Sequence, residues 1–438
     1  MTDIVLVNPN AYGMSQLVSW NSPNLGIAYT ASALENEGID VKIIDSNYEN
    51  FDDKKTCAIL EKIDPQIVGI YSSSLQLREA VKIAKNVKKS LNAKTVIGGP
   101  HISSDPNFIK RFKCFDFGFV GESEVDFPKF TNRLLHGKKE KKLIFGEPQK
   151  NLDKIPFPSY HLLSFNKNYV ITTKRKTSHV IISRGCPYNC AFCTVKKPPL
   201  RFRSPKNIIE EIKLLQDEYK INSILFECAS FTLNRNQVLG ICQELNKEKL
   251  DISWSCSTRC DLFDEGLAKN MKRAGCYNIN FGVESGSYDT RKKIGKNFDD
   301  NVIKKVFEIC RKHDILTGAF WLLGFPWETR QDIEKTIKFS IDLDANLSSY
   351  APVILYPDTS LFKFMVKRKK IKSNAWDMFV QTGIAPLSVP DGFPREAVFQ
   401  FVKEAYKKFY LRREKILFAI KKLNFDAQML KRTFQIYS

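Results

Sequence analysis

The chain has little of what would place it in a membrane or outside a cell. No apolar run approaches the length that crosses a bilayer. The start, Met1-Thr2-Asp3 followed at once by Ile4-Val5-Leu6-Val7, has neither a basic segment nor a cleavable apolar one. A cytoplasmic protein is expected. The eleven cysteines lack the regular spacing of a disulfide scaffold, which suits a reducing compartment. Acidic residues are in deficit, 48 against 68 Lys and Arg, for a net charge of +20. A basic surface attracts phosphates without sequence preference. Here, however, the lysines are spread over expected helix faces, and Lys, Asn, Ile and Phe are abundant throughout, as a compositional bias would make them. The expected partner is therefore a small-molecule or peptide substrate, with the charge favouring an anionic one, and neither nucleic acid nor a membrane.

What the sequence does have is sulfur concentrated in one place. A short apolar run, Val180 to Ile182, leads into Gly185-Cys186-Pro187-Tyr188-Asn189-Cys190-Ala191-Phe192-Cys193. Cysteines spaced C-x3-C-x2-C on a tight loop can converge on one centre. A [4Fe–4S] cluster normally takes four ligands, so Cys186, Cys190 and Cys193 would leave one iron open to a non-protein ligand. The competing reading is a structural zinc with His179 as fourth ligand. Such sites usually pair C-x2–4-C with a second, distant pair, whereas this reading rests on a single cluster and His179.

With 438 residues, 43% of them apolar, there is material for two cored domains and a tail. In residues 1–136 short apolar runs (Ile4–Val7, Val41–Asp45, Ile67–Tyr71, Thr95–Gly98, Phe117–Val120) alternate with helical patterns, which predicts a parallel sheet covered on both faces. Five such units fit a flavodoxin-like doubly wound domain, whose ligands bind at the carboxyl ends of the strands. The loops there hold Asn10, Ser72-Ser73-Ser74-Leu75, Gly98-Gly99-Pro100-His101 and Gly121-Glu122. Residues 137–175 read as a linker, with a charge run, a possible edge strand at Leu143-Ile144-Phe145, and prolines that disfavour helix. Residues 176–365 carry six further strand and helix units, and 366–438 a helical region.

The motif C-x3-C-x-aromatic-C beside the first strand of a β/α domain resembles the radical S-adenosylmethionine (SAM) superfamily. That resemblance implies an open six-unit (β/α) barrel, a [4Fe–4S] cluster whose open iron chelates SAM, and reductive cleavage of SAM to a 5′-deoxyadenosyl radical. The protein then contributes ligation, orientation and exclusion of solvent. Phe192 would lie against the adenine. Glu227, Ser257, Arg259, Glu284, Ser285 and Gly324, all at strand ends, would hold SAM. Gly282-Val283-Glu284-Ser285-Gly286-Ser287 and Leu323-Gly324-Phe325-Pro326-Trp327-Glu328-Thr329 resemble segments of the cobalamin-binding group. A flavodoxin or ferredoxin would serve as electron donor.

The first domain likewise resembles the cobalamin-binding domain that precedes many radical SAM domains. Ser73-Ser74-Leu75, Gly98-Gly99 and Gly121-Glu122-Ser123-Glu124 match its elements. By that resemblance Asn10, Ser72, Ser73, Ser74, Leu75, Gly98, Gly99, His101, Gly121 and Glu122 border the cobalamin. The chain departs from the pattern at the Asp-x-His-x-x-Gly element that supplies a lower cobalt ligand: none of the five histidines has Asp two residues before it. A second departure is Cys228-Ala229, where relatives usually carry Asp; a buried small hydrophobe is the expected state of Cys228. The stripe Val398, Phe399, Val402, Tyr406, Phe409, Ile416 and Ile420 is expected to pack against the barrel, not on a membrane. The expected activity is methylation of an unactivated carbon. Cyclisation, ring contraction or oxidation without methyl transfer, and a non-catalytic iron–sulfur module, are the alternatives.

Overall fold

The computed structural model describes residues 2–11, 23–165, 175–195 and 199–422. Positions 166–174 of the expected linker, and the tail from 423, lie outside the described residues. The chain forms two compact units, Met1–Asn168 with Tyr356–Pro386, and Tyr169–Leu355 with Leu387–Ser438.

The first unit is built on a parallel sheet in the order β2-β1-β3-β4-β5-β6. Its strands are β1 (Ile4–Asn8), β2 (Val41–Asp45), β3 (Ile67–Tyr71), β4 (Lys94–Gly98), β5 (Phe117–Gly121) and β6 (Leu143–Gly146). Every residue of β1 is buried, as a central strand with both faces covered requires. Helices Leu25–Asn36, Asp53–Ile63, Leu77–Ser90 and Phe127–Leu135 supply that cover. Two of them start where a side chain accepts an otherwise unpaired N–H: Asn24 from Ile27 and Asp52 from Lys55. The expected doubly wound fold is borne out, with one addition. Leu143-Ile144-Phe145 is a sixth parallel strand, so the start of the expected linker belongs to the sheet.

The order of strands reverses at β1, and a side-chain network fixes the loops there. Asn8 Nδ2 donates to Asp45 Oδ1 (2.7 Å), and Gln76 Nε2 donates to Asn8 Oδ1 (2.8 Å) and to the Pro9 carbonyl (2.7 Å). In α/β sheets this reversal is where ligands sit.

Residues 366–438, expected as one helical tail, divide between the units. Helix Ala375–Thr382 packs on Leu77–Ser90 in the first unit, with Asp377 paired to Arg111 Nε at 2.6 Å. Local sequence does not reveal which distant surface a short helix will cover.

The second unit carries β7 (Thr177–Ile181), the antiparallel pair β8 (Ser183–Arg184) and β9 (Arg201–Phe202), then β10 (Ser223–Glu227), β11 (Ser253–Thr258), β12 (Cys276–Glu284), β13 (Leu316–Leu323) and β14 (Leu347–Pro352). The large sheet runs β7-β10-β11-β12-β13-β14, parallel throughout, and β7 and β14 do not pair among the described residues. This is the expected open six-unit arrangement. Trp254 anchors its core, fully buried against Phe226 and Phe231 with ring centroids 5.2 and 5.3 Å away, its indole N–H donating to the Ala274 carbonyl. Helices Pro205–Tyr219, Arg235–Lys247, Glu265–Arg273, Asp300–Lys312 and Arg330–Leu343 begin after Ser204, Asn234, Asp264, Asp299 and Thr329, each capping its helix by side chain.

Helix Arg395–Tyr410 lies along β14. Tyr410 Oη accepts from Ser348 N–H (2.9 Å) and donates to its carbonyl (2.8 Å), while Tyr406 Oη accepts from Tyr350 N–H (3.2 Å). These bonds satisfy an edge strand that would otherwise invite pairing with another chain. Val398 and Phe409 are fully buried, in line with packing of the stripe; a second helix, Arg413–Lys422, leaves Ile420 half-exposed. No described helix is long and apolar enough to cross a membrane.

Candidate active site

The cysteine loop leaves the sheet immediately after β7 and β8, and β9 returns to pair with β8, so the loop is closed at its base. Cys190 is buried, while Cys186 and Cys193 are partly exposed. Inside the loop Cys193 N–H donates to the Cys190 carbonyl (3.1 Å), and Ala191 N–H reaches out to the Ile294 carbonyl (3.1 Å). Burial pushes the Cys190 and Cys193 thiols up. At Cys193 the other two thiols add to the rise, and at Cys190 Lys296 and Arg259 oppose it. The thiols share a loop and feel one another's charge, yet among the described residues no three His, Cys, Asp or Glu side chains converge as a ready-made metal cage. The donor set fits a metal centre: a bound metal deprotonates such thiols outright and removes their repulsion. His179, which the zinc reading needs, has Nδ1 3.3 Å from Glu227.

The strand-end residues differ in what occupies them. Arg259 is buried, its fork spanning both carboxylate oxygens of Asp261 (2.9 and 2.8 Å) and its face lying 3.8 Å from the Tyr188 ring centroid. Glu284 is buried in the left-handed region, φ +70°, and pairs with buried Lys296 at 2.7 Å. Lys296 also donates to the Gly282 carbonyl (2.6 Å). Ser285 is fully buried and holds Ser287 N–H (3.2 Å), while its carbonyl accepts from Arg291 Nη1 (2.7 Å). Gly286 has a steric reason to be glycine, since a Cβ would stand 2.6 Å from Thr336 Cα. Glu227 stands exposed and Ser257 partly so, at the ends of β10 and β11. Phe192 is partly exposed, 6.2 Å from Phe325 between ring centroids. Gly324 turns its Cα toward Val398, 3.0 Å from where a Cβ would be. Cys228 is partly exposed by residue, but burial of its thiol pushes it up to about 12, the mark of an unreactive sulfur.

Lys296, Tyr188, Asp261, Arg291 and Glu328 were not singled out from sequence. Glu328 had a signal, the run Leu323 to Thr329, but its role needed the structure. Its Oε2 accepts from both Gly324 and Phe325 N–H (2.9 Å each), and burial nevertheless raises its pKa from 4.5 to about 7. The folded chain therefore holds this proton more tightly than the unfolded chain. The contribution is full below about 4.5 and is lost as pH rises toward about 7. Stability is expected to fall by about 3 kcal/mol across that window, and Glu328→Gln to flatten the slope, both read from urea melts at several pH values.

In the first unit the expected cobalamin loops split into packed and open parts. Asn10, Ser72, Ser74 and His101 are buried. Asn10 Nδ2 donates to Asn50 Oδ1 (3.0 Å), Ser72 Oγ to the Ser73 carbonyl (2.9 Å), and Ser74 Oγ lies 2.9 Å from His101 Nδ1. His101 sits with Phe108 and Trp376, centroids 5.1 and 5.9 Å away, and burial lowers its pKa to about 4. It is a neutral core histidine tying the loops after β3 and β4 together. The open parts are Ser73, Leu75, Gly98, Gly99, Gly121 and Glu122. A Cβ on Gly98 would meet the Phe119 carbonyl oxygen at 3.8 Å, an ordinary contact, whereas one on Gly99 would stand 2.9 Å from the Ser72 carbonyl oxygen. A half-exposed glycine shelf at the ends of β4 and β5, backed by buried hydroxyls, fits a bulky flat ligand.

The family description "Radical SAM superfamily" matches residues 180–340, and "B12 binding domain" matches residues 18–131. The chain belongs to the radical SAM superfamily, in the group with an N-terminal B12-binding domain. It is an enzyme whose cofactors are a [4Fe–4S] cluster, SAM and cobalamin. An uncharacterized methyltransferase of Pyrococcus horikoshii is 33% identical over 94% of this chain and 93% of its own length. The anaerobic magnesium-protoporphyrin IX monomethyl ester cyclase of Rubrivivax gelatinosus is 23% identical over 93% of this chain and 77% of its own. In fold, the chain resembles the radical SAM methyltransferase TsrM of Kitasatospora setae, solved with cobalamin and a [4Fe–4S] cluster. The TM-score is 0.70 at 16% identity, over 92% of this chain and 91% of that one.

Proposed function

We propose that this enzyme methylates an unactivated carbon of a small-molecule or peptide substrate, an anionic one suiting its charge of +20. The observation that carries the reading is kinship with a methyltransferase along nearly the whole of both chains. When bound, the cluster with SAM supplies hydrogen abstraction and cobalamin supplies the methyl group. Cys186, Cys190 and Cys193 would hold the cluster, and Phe192 would offer a flat apolar face to the adenine. Glu227 and Ser257 would offer acceptors for a ribose and an ammonium at the sheet's carboxyl edge, with the buried Glu284 and Ser285 shaping the turn beside them. In the first unit, Gly98, Gly99, Gly121, Ser73, Leu75 and Glu122 would border the cobalamin, with Ser72, Ser74 and His101 fixing the loops after β3 and β4 from behind and Asn10 tying the loop after β1 to Asn50. A small reduced electron carrier such as flavodoxin or ferredoxin would deliver the electron.

The test is anaerobic reconstitution with iron, sulfide and cobalamin, then turnover with SAM deuterated in its methyl group across a substrate panel that includes anionic and peptide members. A product carrying the deuterated methyl on carbon supports the reading. Cleavage of SAM with a product that has gained a ring and no label overturns it in favour of cyclisation. Similarity to the cyclase along 93% of this chain makes that the second reading.

A further inference from the structure

We propose that Arg259 is a positioning residue of the cysteine loop: clamped by Asp261 and laid on Tyr188, it steadies Cys190 and sets how readily a cluster held there accepts an electron. The inference rests on the cluster reading above. From the sequence Arg259 is expected to hold SAM, but Nε and Nη2 are engaged by Asp261 and Nη1 faces Cys190. Nε and Nη2 span the two oxygens of Asp261, Nη1 lies 3.9 Å from Cys190 Sγ, and the main-chain N–H donates to Ser230 Oγ (3.3 Å). The guanidinium plane is filled on one side by Tyr188 at 3.8 Å, with Phe298 5.5 Å away. Such a fork is fixed in direction as well as in charge. Tyr188 and Cys190 belong to the same loop, two residues apart, so one side chain from the end of β11 grips that loop at two points.

The electrostatic consequence has a sign. Cluster potentials depend on net charge and on donors to the sulfurs. A cation beside a ligand sulfur stabilises the more negative, reduced cluster and raises the potential. Asp261, 31% exposed, opposes it from behind. Removing Arg259 takes away the positive charge and leaves Asp261 uncompensated, whereas neutralising Asp261 leaves Arg259 beside Cys190 unopposed. The two substitutions should therefore move the potential in opposite directions, while loss of a merely structural clamp would disturb it in the same way.

The measurement is a dithionite titration of the full chain, reconstituted anaerobically with iron and sulfide and followed by electron paramagnetic resonance of the reduced cluster. At the poise where the wild type is half reduced, Arg259→Gln is expected to show about a tenfold lower ratio of reduced to oxidised cluster, equal to about 59 mV for one electron. Asp261→Asn should raise that ratio severalfold, and Arg259→Lys should fall between wild type and Gln. Should the Gln variant not fold, the signs of Asp261→Asn and Arg259→Lys decide. A wild-type chain that takes up no iron overturns the cluster reading and this proposal together. Normal iron with Arg259→Gln and Asp261→Asn shifting alike, or with neither shifting, overturns this proposal alone. A weakened SAM affinity at unchanged potential in Arg259→Gln returns the residue to holding SAM.

Discussion

Cys190→Ala is expected to bring the iron content of the reconstituted chain to background and to lower SAM cleavage by at least about a thousandfold, about 4 kcal/mol of barrier. The reason is the stoichiometry of the donor set. Three thiols on one loop are the minimum that leaves a cluster iron open for SAM, and the remaining two cannot hold it against solvent. Circular dichroism should change little, because the loop is closed at its base by β8 and β9, away from the side chain itself. The contrast is Cys256→Ala. Cys256 is wholly buried in β11, and burial pushes its thiol far up, as expected of a small core hydrophobe. That variant should lose some stability and keep its iron. Cys190→Ala with full iron, or Cys256→Ala without it, would transfer the cluster to another part of the chain.

Much of this architecture was readable because parallel strands announce themselves. The six strand units expected in residues 176–365 fall on the observed β7 and β10 to β14, because helical patterns with apolar residues three and four apart separate them. The sixth strand of the first sheet was harder, because Leu143–Gly146 is a short edge and Phe145 is 64% exposed. What sequence could not supply was pairing. Arg259 was visible as a cation at a strand end, but whether it faces a ligand or Asp261 depends on a loop conformation. His101 read as a loop residue near a ligand; it became a core residue because helix Ala375–Thr382, distant in sequence, brings Trp376 beside it. Lys296 follows Arg291, Lys292 and Lys293, where composition predicts a solvated face, yet it is buried with its ammonium on Glu284 and the Gly282 carbonyl of β12.

That buried lysine leads to the other large effect. Lys296 is 5% and Glu284 8% exposed, the ammonium bridging the carboxylate and the Gly282 carbonyl across the irregularity in β12. Replacing Lys296 by Met removes one charge and strands the other where water cannot reach it, which costs about 3–5 kcal/mol. Native chains have only about 5–15 kcal/mol to lose, so Lys296→Met should move the denaturant transition of the second unit to a much lower urea concentration. Glu284→Gln should cost less, because the ammonium keeps the Gly282 carbonyl and an amide oxygen as partners. The double variant Lys296→Met, Glu284→Gln should be more stable than Lys296→Met alone, with a coupling of about 1–3 kcal/mol, since no charge is then left buried unpaired. A Lys296→Met chain within about 1 kcal/mol of wild type would mean that water reaches the pair in solution, and that the left-handed turn at Glu284 is held by the strand and not by the lysine.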